Sequence, residues 1–400
     1  MNEVVMVSAC RTPVGKFMGQ FKDVSARELA VTVGKEAIKR AGIAADTVDE
    51  IVMGQVYQHM QKSLPARIVG LECGLPVSSN ACVVNQNCTS SMRALEIACH
   101  NIMLGNTEIG LVIGVENMTQ VPYMVPSART GARMGNTEIV DALTHDALID
   151  SLVPGHMGRT AENIAEMYNI TREQCDELAM ISHNRAIAAI DSGVFKKEII
   201  PIEVKTRAGA VIVEDDEHPI RDVSIEKMGK LKPVFKRDGG VVTAANASGI
   251  NDGAAAVILM SKKKAEELNI KPLMKYVTSV GVGVEPEIMG VGPAEAIPAA
   301  LNKAGWKWDE VEYWEINEAF AAQFLGVKIR LQEKYGIDLS LDKVNHNGSG
   351  ISLGHPVGCT GLRIIVSLYY EMERLNISTG GASLCVGTGP AMASLWTRDI

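Results

Sequence analysis

Two segments near opposite ends of the chain follow one plan, and that self-similarity restricts the fold more than any composition value does. Asn87-Cys-Thr-Ser-Ser-Met-Arg-Ala-Leu-Glu-Ile opens a helical pattern reaching Leu104, followed by glycine and the buried strand Leu111-Val-Ile-Gly-Val. Gly358-Cys-Thr-Gly-Leu-Arg-Ile-Ile-Val opens another reaching Leu375, followed by glycines and the strand Ala382-Ser-Leu-Cys-Val-Gly. Each is a Cys-Thr turn, an Arg-bearing helix and a strand ending in glycine. The repeat predicts two duplicated α/β halves.

The first hundred residues fit that class. Val4–Ala9 and Glu50–Val56 read as strands; Ala26–Ala41, with Leu29, Val33, Ala37 and Ile38 on one face, and Leu64–Cys73 read as helices. From about Met118 to Ala247 the texture changes: six prolines, the acidic patch Glu214-Asp-Asp-Glu and a helical stretch over Asn163–Ser192 predict an inserted domain of loops and helices.

Composition closes off several functions. With 46% hydrophobic and 22% charged residues, the 400-residue chain can bury a sizeable core. Its longest apolar run, Ala254–Met260, is far below the roughly 18 residues of a membrane span. Thirty-nine Lys and Arg against 47 Asp and Glu give a net charge of −8, which argues against nucleic acid as a partner. The N-terminus lacks a basic region followed by a long apolar stretch and reads as a first strand. The eight cysteines contain no Cys-x-x-Cys pair, so reduced thiols in a cytoplasmic compartment are expected.

Four segments carry candidate chemistry. Cys88 stands at a strand-to-helix junction, where unpaired N–H groups and the helix dipole favour a thiolate; a buried cysteine at a helix start is the plain alternative. His355 sits in Gly348-Ser-Gly-Ile-Ser-Leu-Gly-His-Pro-Val-Gly, glycine-dense backbone that lets a ligand approach closely. Cys385 precedes Val-Gly-Thr-Gly, whose N–H groups form an oxyanion site if they converge. Asn317 ends the strand-like Val311–Ile316, where it serves equally well as a turn residue.

Together these segments resemble the thiolases, acetyl-CoA acetyltransferases and 3-ketoacyl-CoA thiolases, along essentially the whole chain. Arg11-Thr-Pro-Val-Gly-Lys-Phe, Asn87-Cys-Thr-Ser, Asn317-Glu-Ala-Phe-Ala-Ala-Gln, Gly354-His-Pro-Val-Gly and Cys385-Val-Gly-x-Gly follow the family's motifs in order. Gly155-His-Met-Gly, Thr160-Ala-Glu-Asn and Asn246-Ala-Ser-Gly-Ile-Asn-Asp-Gly-Ala-Ala resemble its CoA-binding region.

The resemblance implies a five-layered α-β-α-β-α fold: an N-terminal half from 1–118 and 248–271, a CoA-binding insertion 119–247, and a C-terminal half 272–400. It also implies that Cys88 takes the acyl group and that Cys385 moves the α-proton. His355 activates Cys88 and, with a water held by Asn317, binds the enolate oxygen; the N–H groups of Cys88 and Gly387 bind the tetrahedral oxyanion. Leu148, His156, Met157, Arg221, Ala244, Ser248, Met289, Ala319 and Phe320 are the expected CoA contacts. CoA and acyl-CoA enter as substrates with no resident cofactor, and Met124–Asn136 resembles a loop through which tetrameric members associate. The expected reaction is condensation of acetyl-CoA to acetoacetyl-CoA, or thiolysis of 3-ketoacyl-CoA. A thiolase for longer or functionalised chains is the alternative, and a non-catalytic subunit a remote one; a further partner subunit stays open.

Two rivals fit less well. A decarboxylating ketoacyl synthase would carry histidine where Asn317 stands and lack Cys385. An NAD-dependent oxidoreductase needs an early glycine fingerprint after a strand, and none is present. Ser91, Ser349, Ser352, Thr388 and Pro390 depart from the family pattern around the reacting carbon, which leaves acyl preference open: they reshape the acyl pocket, or the serines merely fill space.

Overall fold

The structure is a computed structural model describing residues 1–207 and 209–400. Its first strand, β1 (Val4–Arg11), is followed by α1 (Ala26–Ala41), which a Ser25–Glu28 capping box starts and left-handed Gly42 ends. Strands β2 (Glu50–Gly54) and β3 (Asn80–Val84) precede α2 (Ser90–Leu104) and β4 (Ile109–Asn117). After α3 (Gly158–Tyr168) and α4 (Arg172–Ser192), the chain returns to the sheet as β5 (Asn251–Ser261). The second set comprises β6 (Met274–Gly283), α5 (Pro293–Ala304), β7 (Tyr313–Ile316), α6 (Ala321–Tyr335), α7 (Val357–Leu375), β8 (Thr379–Cys385) and β9 (Pro390–Thr397).

The duplication is written in the strand order, β7-β8-β9-β6-β1-β5-β4-β2-β3. Apart from the edge strand β3, this order is a palindrome. The pairs β2–β4 and β7–β8 are parallel, whereas β4–β5, β5–β1, β8–β9 and β9–β6 are antiparallel. The two sets join through only two residue pairs, Val5 with Lys275 and Met6 with Met274.

Strand alternation assigns the layers. Leu111, Ile113 and Val115 of β4 and Ala254, Ala256 and Ile258 of β5 face α1, while Val112, Ala255 and Val257 face the opposite way. On that inner side α2 and α7 form a middle layer with β6, β8 and β9 beyond it. Being covered on both sides, α7 is apolar and buried for most of its length. Helices α5 and α6 close the far face, packed with α3. The helical stretch expected over Asn163–Ser192 is instead two helices. Asn169 ends the first in a left-handed conformation (φ 53°), and a Thr171–Gln174 capping box starts the next.

The middle layer sits very close to the strands. A Cβ on Gly54 would lie 2.3 Å from the Ser91 backbone, and one on Gly358 would lie 2.5 Å from the Glu116 carboxylate. Glycine at these positions brings both helix N-termini to the strand ends. Among the described residues, no helix is long and apolar enough to cross a membrane.

Candidate active site

Cys88 lies in the turn between β3 and α2. Asn87 adopts a left-handed conformation (φ 47°), its N–H donates to Asn85 Oδ1 at 3.0 Å, and its carbonyl accepts from the Ser90 hydroxyl at 2.6 Å. These bonds turn the chain into the helix and leave Cys88 at the wall of a cavity of about 330 Å³.

The helix start does not make Cys88 a resting thiolate. The N–H groups of Gly387 and of Cys88 itself draw the thiol's pKa down, but burial is the larger effect and pushes it up to about 11. A base must therefore take its proton when it attacks. Both N–H groups nevertheless favour negative charge at the sulfur.

His355 lines the same cavity and is held in a fixed orientation. Its backbone N–H donates to Asn251 Oδ1 at 2.9 Å, and its Nδ1 lies 2.6 Å from Thr360 Oγ1. The Thr360 hydroxyl donates to the Pro356 carbonyl at 3.0 Å, so its oxygen accepts from Nδ1–H. That assigns the neutral tautomer with its lone pair on Nε2, a buried atom with no hydrogen-bond partner among the described residues. Burial, helped by the charge of Arg363, lowers the imidazole pKa to about 3.

Cys385 ends β8, fully buried, and its thiol is held well above the ordinary range by burial and by Cys88. Cys88, His355, Cys385 and Gly387 all line the one cavity. Asn317 is not part of the lining, which begins two residues further on at Ala319. It follows β7, donates its backbone N–H to Ser383 at 3.0 Å, and has a buried side-chain amide with no partner among the described residues. An unpaired buried amide of this kind is where an ordered water belongs.

The expected CoA contacts Leu148, His156, Met157, Ala244, Ser248, Met289, Ala319 and Phe320 line the same cavity. Arg221 does not: it stands at the surface, its guanidinium 2.9 Å from Asp191, where a solvated ion pair satisfies it. The serines expected to reshape the acyl pocket also lie elsewhere. Ser91 donates to the Cys359 carbonyl at 3.1 Å and accepts from Leu362 N–H at 2.8 Å, tying α2 to α7. Ser349 donates to the Ile316 carbonyl, and Ser352 accepts from Ser182.

Several residues escaped sequence reading. Phe235 stacks on His156 with ring centroids 4.7 Å apart and lines the cavity with Asn87, Met118 and Val357. Asn251 and Thr360 orient His355. Buried Glu116 accepts from the N–H groups of Val56, Tyr57 and Gly358; burial outweighs these donors and lifts its pKa to about 8. A lone acid in the apolar run Leu111–Glu116 was the available signal for Glu116.

The thiolase N-terminal domain matches residues 4–263, and the thiolase C-terminal domain matches residues 270–398. The chain belongs to the thiolase family. An acetyl-CoA acetyltransferase of Syntrophomonas wolfei is 46% identical over 98% of both chains. Among solved structures, an acetyl-CoA acetyltransferase from Syntrophomonas wolfei superposes with a TM-score of 0.98 at 57% identity over all of both chains. Human mitochondrial 3-ketoacyl-CoA thiolase gives 0.95 at 38% identity over 99% of both. The thiolase fold expected from the motifs is therefore the fold observed.

The raised thiol pKa has a measurable sign. A group pushed up to about 11 stays protonated through neutral pH, and its thiolate fraction grows tenfold per pH unit below that value. Alkylation of Cys88 by iodoacetamide, followed by peptide mass spectrometry, should accelerate about tenfold per unit from pH 7 to 9 without a plateau. A plateau near pH 7 would instead mean a resting thiolate–imidazolium pair.

Proposed function

We infer that this thiolase transfers acyl groups between CoA thioesters through an acyl–Cys88 intermediate. The observation that carries this reading is one cavity lined by the Cys88 and Cys385 thiols, an imidazole with a free Nε2, and Gly387. Nε2 of His355 takes the Cys88 proton as the sulfur attacks a thioester carbonyl, and the Cys88 and Gly387 N–H groups receive the oxyanion. Collapse breaks the carbon–sulfur bond to CoA, and His355 returns its proton to the leaving thiolate.

In the second half-reaction, Cys385 exchanges a proton with the α-carbon of acetyl-CoA. Its raised pKa suits it to donate to an enolate in thiolysis; the corresponding thiolate is a strong base for condensation. His355 and a water on Asn317 bind the enolate oxygen. Acetoacetyl-CoA is the expected principal substrate, in line with the acetyl-CoA acetyltransferases that the chain matches.

Mass spectrometry after brief exposure to acyl-CoA separates the two cysteines. Cys88→Ala should lose acylation altogether. Cys385→Ala should still become acylated on Cys88 but lose condensation and α-proton exchange by roughly 10²–10⁴-fold, the usual worth of a positioned proton-transfer group. Acylation of Cys385 in the wild-type enzyme would reverse the assignment.

The insertion 119–247 is proposed to hold CoA, supported by His156, Met157, Phe235 and Ala244 on the cavity wall, with Ser248 at its boundary. Ser248→Trp should raise the Kd for CoA while leaving the melting temperature nearly unchanged; unaltered affinity in a folded variant would remove that placement. CoA is read as a substrate, with no resident cofactor in the reaction, and reduced thiols support a cytoplasmic setting. A homotetramer is proposed through the loop Met124–Asn136. It leaves Met134 96% exposed, with Tyr123 at 68% and Ile139 at 65% beside it, more apolar surface than a free loop usually shows. Sedimentation of the wild-type protein should give four chain masses, and a monomer at micromolar concentration would refute it.

A further inference from the structure

The turn after Cys385 holds a residue that does not belong there on local grounds. Val386–Gly389 connects β8 to β9, with Gly389 N–H donating to the Val386 carbonyl at 3.2 Å. Its third residue, Thr388, has φ +74°, the conformation that a type II turn demands and that glycine or asparagine normally supplies. A β-branched residue is a genuine outlier in that region, so something outside the turn must hold it.

Two side chains grip the central peptide of that turn. Thr388 N–H donates to Asp150 Oδ2 at 3.0 Å, and the Gly387 carbonyl of the same peptide unit accepts from Asn87 Nδ2 at 3.5 Å. Asp150 is buried, and its other oxygen accepts from Leu152 N–H at 2.7 Å, at the start of the loop that delivers His156 and Met157 to the cavity. Asn87 precedes the nucleophile. The peptide that follows the oxyanion donor is thus clamped between the Cys88 turn and the His156 loop.

We propose that Asp150 is a positioning residue for the oxyanion site: by holding Thr388 N–H it keeps the turn in its left-handed form and Gly387 in place beside Cys88 on the cavity wall. The proposal rests on the reading of Gly387 as an oxyanion donor. Without the carboxylate, Thr388 returns to negative φ and the central peptide reverses. Its carbonyl then leaves Asn87, and the turn that carries the Gly387 N–H loses both of its outside supports.

Strain at Thr388 makes the role separable from general loop stability, because glycine adopts φ +74° without steric cost. Asp150→Asn keeps the side chain's shape but turns an NH₂ either toward Thr388 N–H or toward the N–H groups of Leu152 and Val153 that share the other oxygen. It should lower kcat for acetoacetyl-CoA thiolysis by about tenfold to a hundredfold, part of the loss seen when an oxyanion donor is removed outright. On a Thr388→Gly background the same substitution should cost at least about fivefold less in kcat, a coupling of the size that groups in direct contact show. The rise in KM, caused by loosening of the His156 loop, should persist on both backgrounds.

Equal kcat losses on the two backgrounds, or no loss on either, would overturn the role of Asp150. If Asp150→Asn does not fold, recovery of soluble enzyme on adding Thr388→Gly supports the coupling, and failure to recover it counts against it. Acyl transfer to Cys88 in the wild-type enzyme is measured first by mass. Its absence defeats the thiolase mechanism itself, whereas its presence with uncoupled variants defeats only the positioning role.

Discussion

The site depends on how closely two helix N-termini approach the ends of their strands. Helices α2 and α7 lie between strands on both sides, and the close contacts at Gly54 and Gly358 leave no room for a Cβ. Ser91 then ties one helix to the other through the Cys359 carbonyl and the Leu362 N–H. Cys88 at the head of α2 and His355 just before α7 face one cavity because these helices can shift only together. Glu116 completes the arrangement from β4, holding both the chain after β2 and the first turn of α7.

The resting electrostatics follow from the same burial. Both thiols are held protonated and the imidazole is held neutral, so an empty cavity of mostly apolar side chains carries no charge on its reacting groups. In the proposed mechanism, charge develops only when a thioester is in place, beside the N–H groups that favour it. That is the economical arrangement for a reaction whose transition states are anionic: the donors need not reorganise, and water competes little for them.

Much of this was legible in the sequence because it is local. Ala26–Ala41 carries its own capping box and glycine stop, and the paired Cys-Thr turns exposed the duplication before any strand order was known. The single-helix reading of Asn163–Ser192 failed where one asparagine in a left-handed conformation overrode an otherwise continuous helical composition. What the sequence hid was relational. Nothing around Ser91 says that its hydroxyl faces the Cys359 carbonyl and the Leu362 N–H. Phe235 escaped because ring stacking on His156 joins residues far apart in the chain.

The palindromic strand order has a consequence for how such an enzyme comes into being on the ribosome. The first strand set carries the nucleophile, and the second carries the imidazole, the other thiol and the Gly387 N–H. Only two residue pairs join their sheets, so secondary structure alone holds them together weakly, and the buried helices of the middle layer do most of the joining. A nascent chain that has completed only its first set owns the Cys88 thiol and its own N–H but lacks the imidazole, the second thiol and the Gly387 N–H. All of these groups precede β9, so the cavity is assembled only once the chain through Gly387 has been made and both sets have folded together.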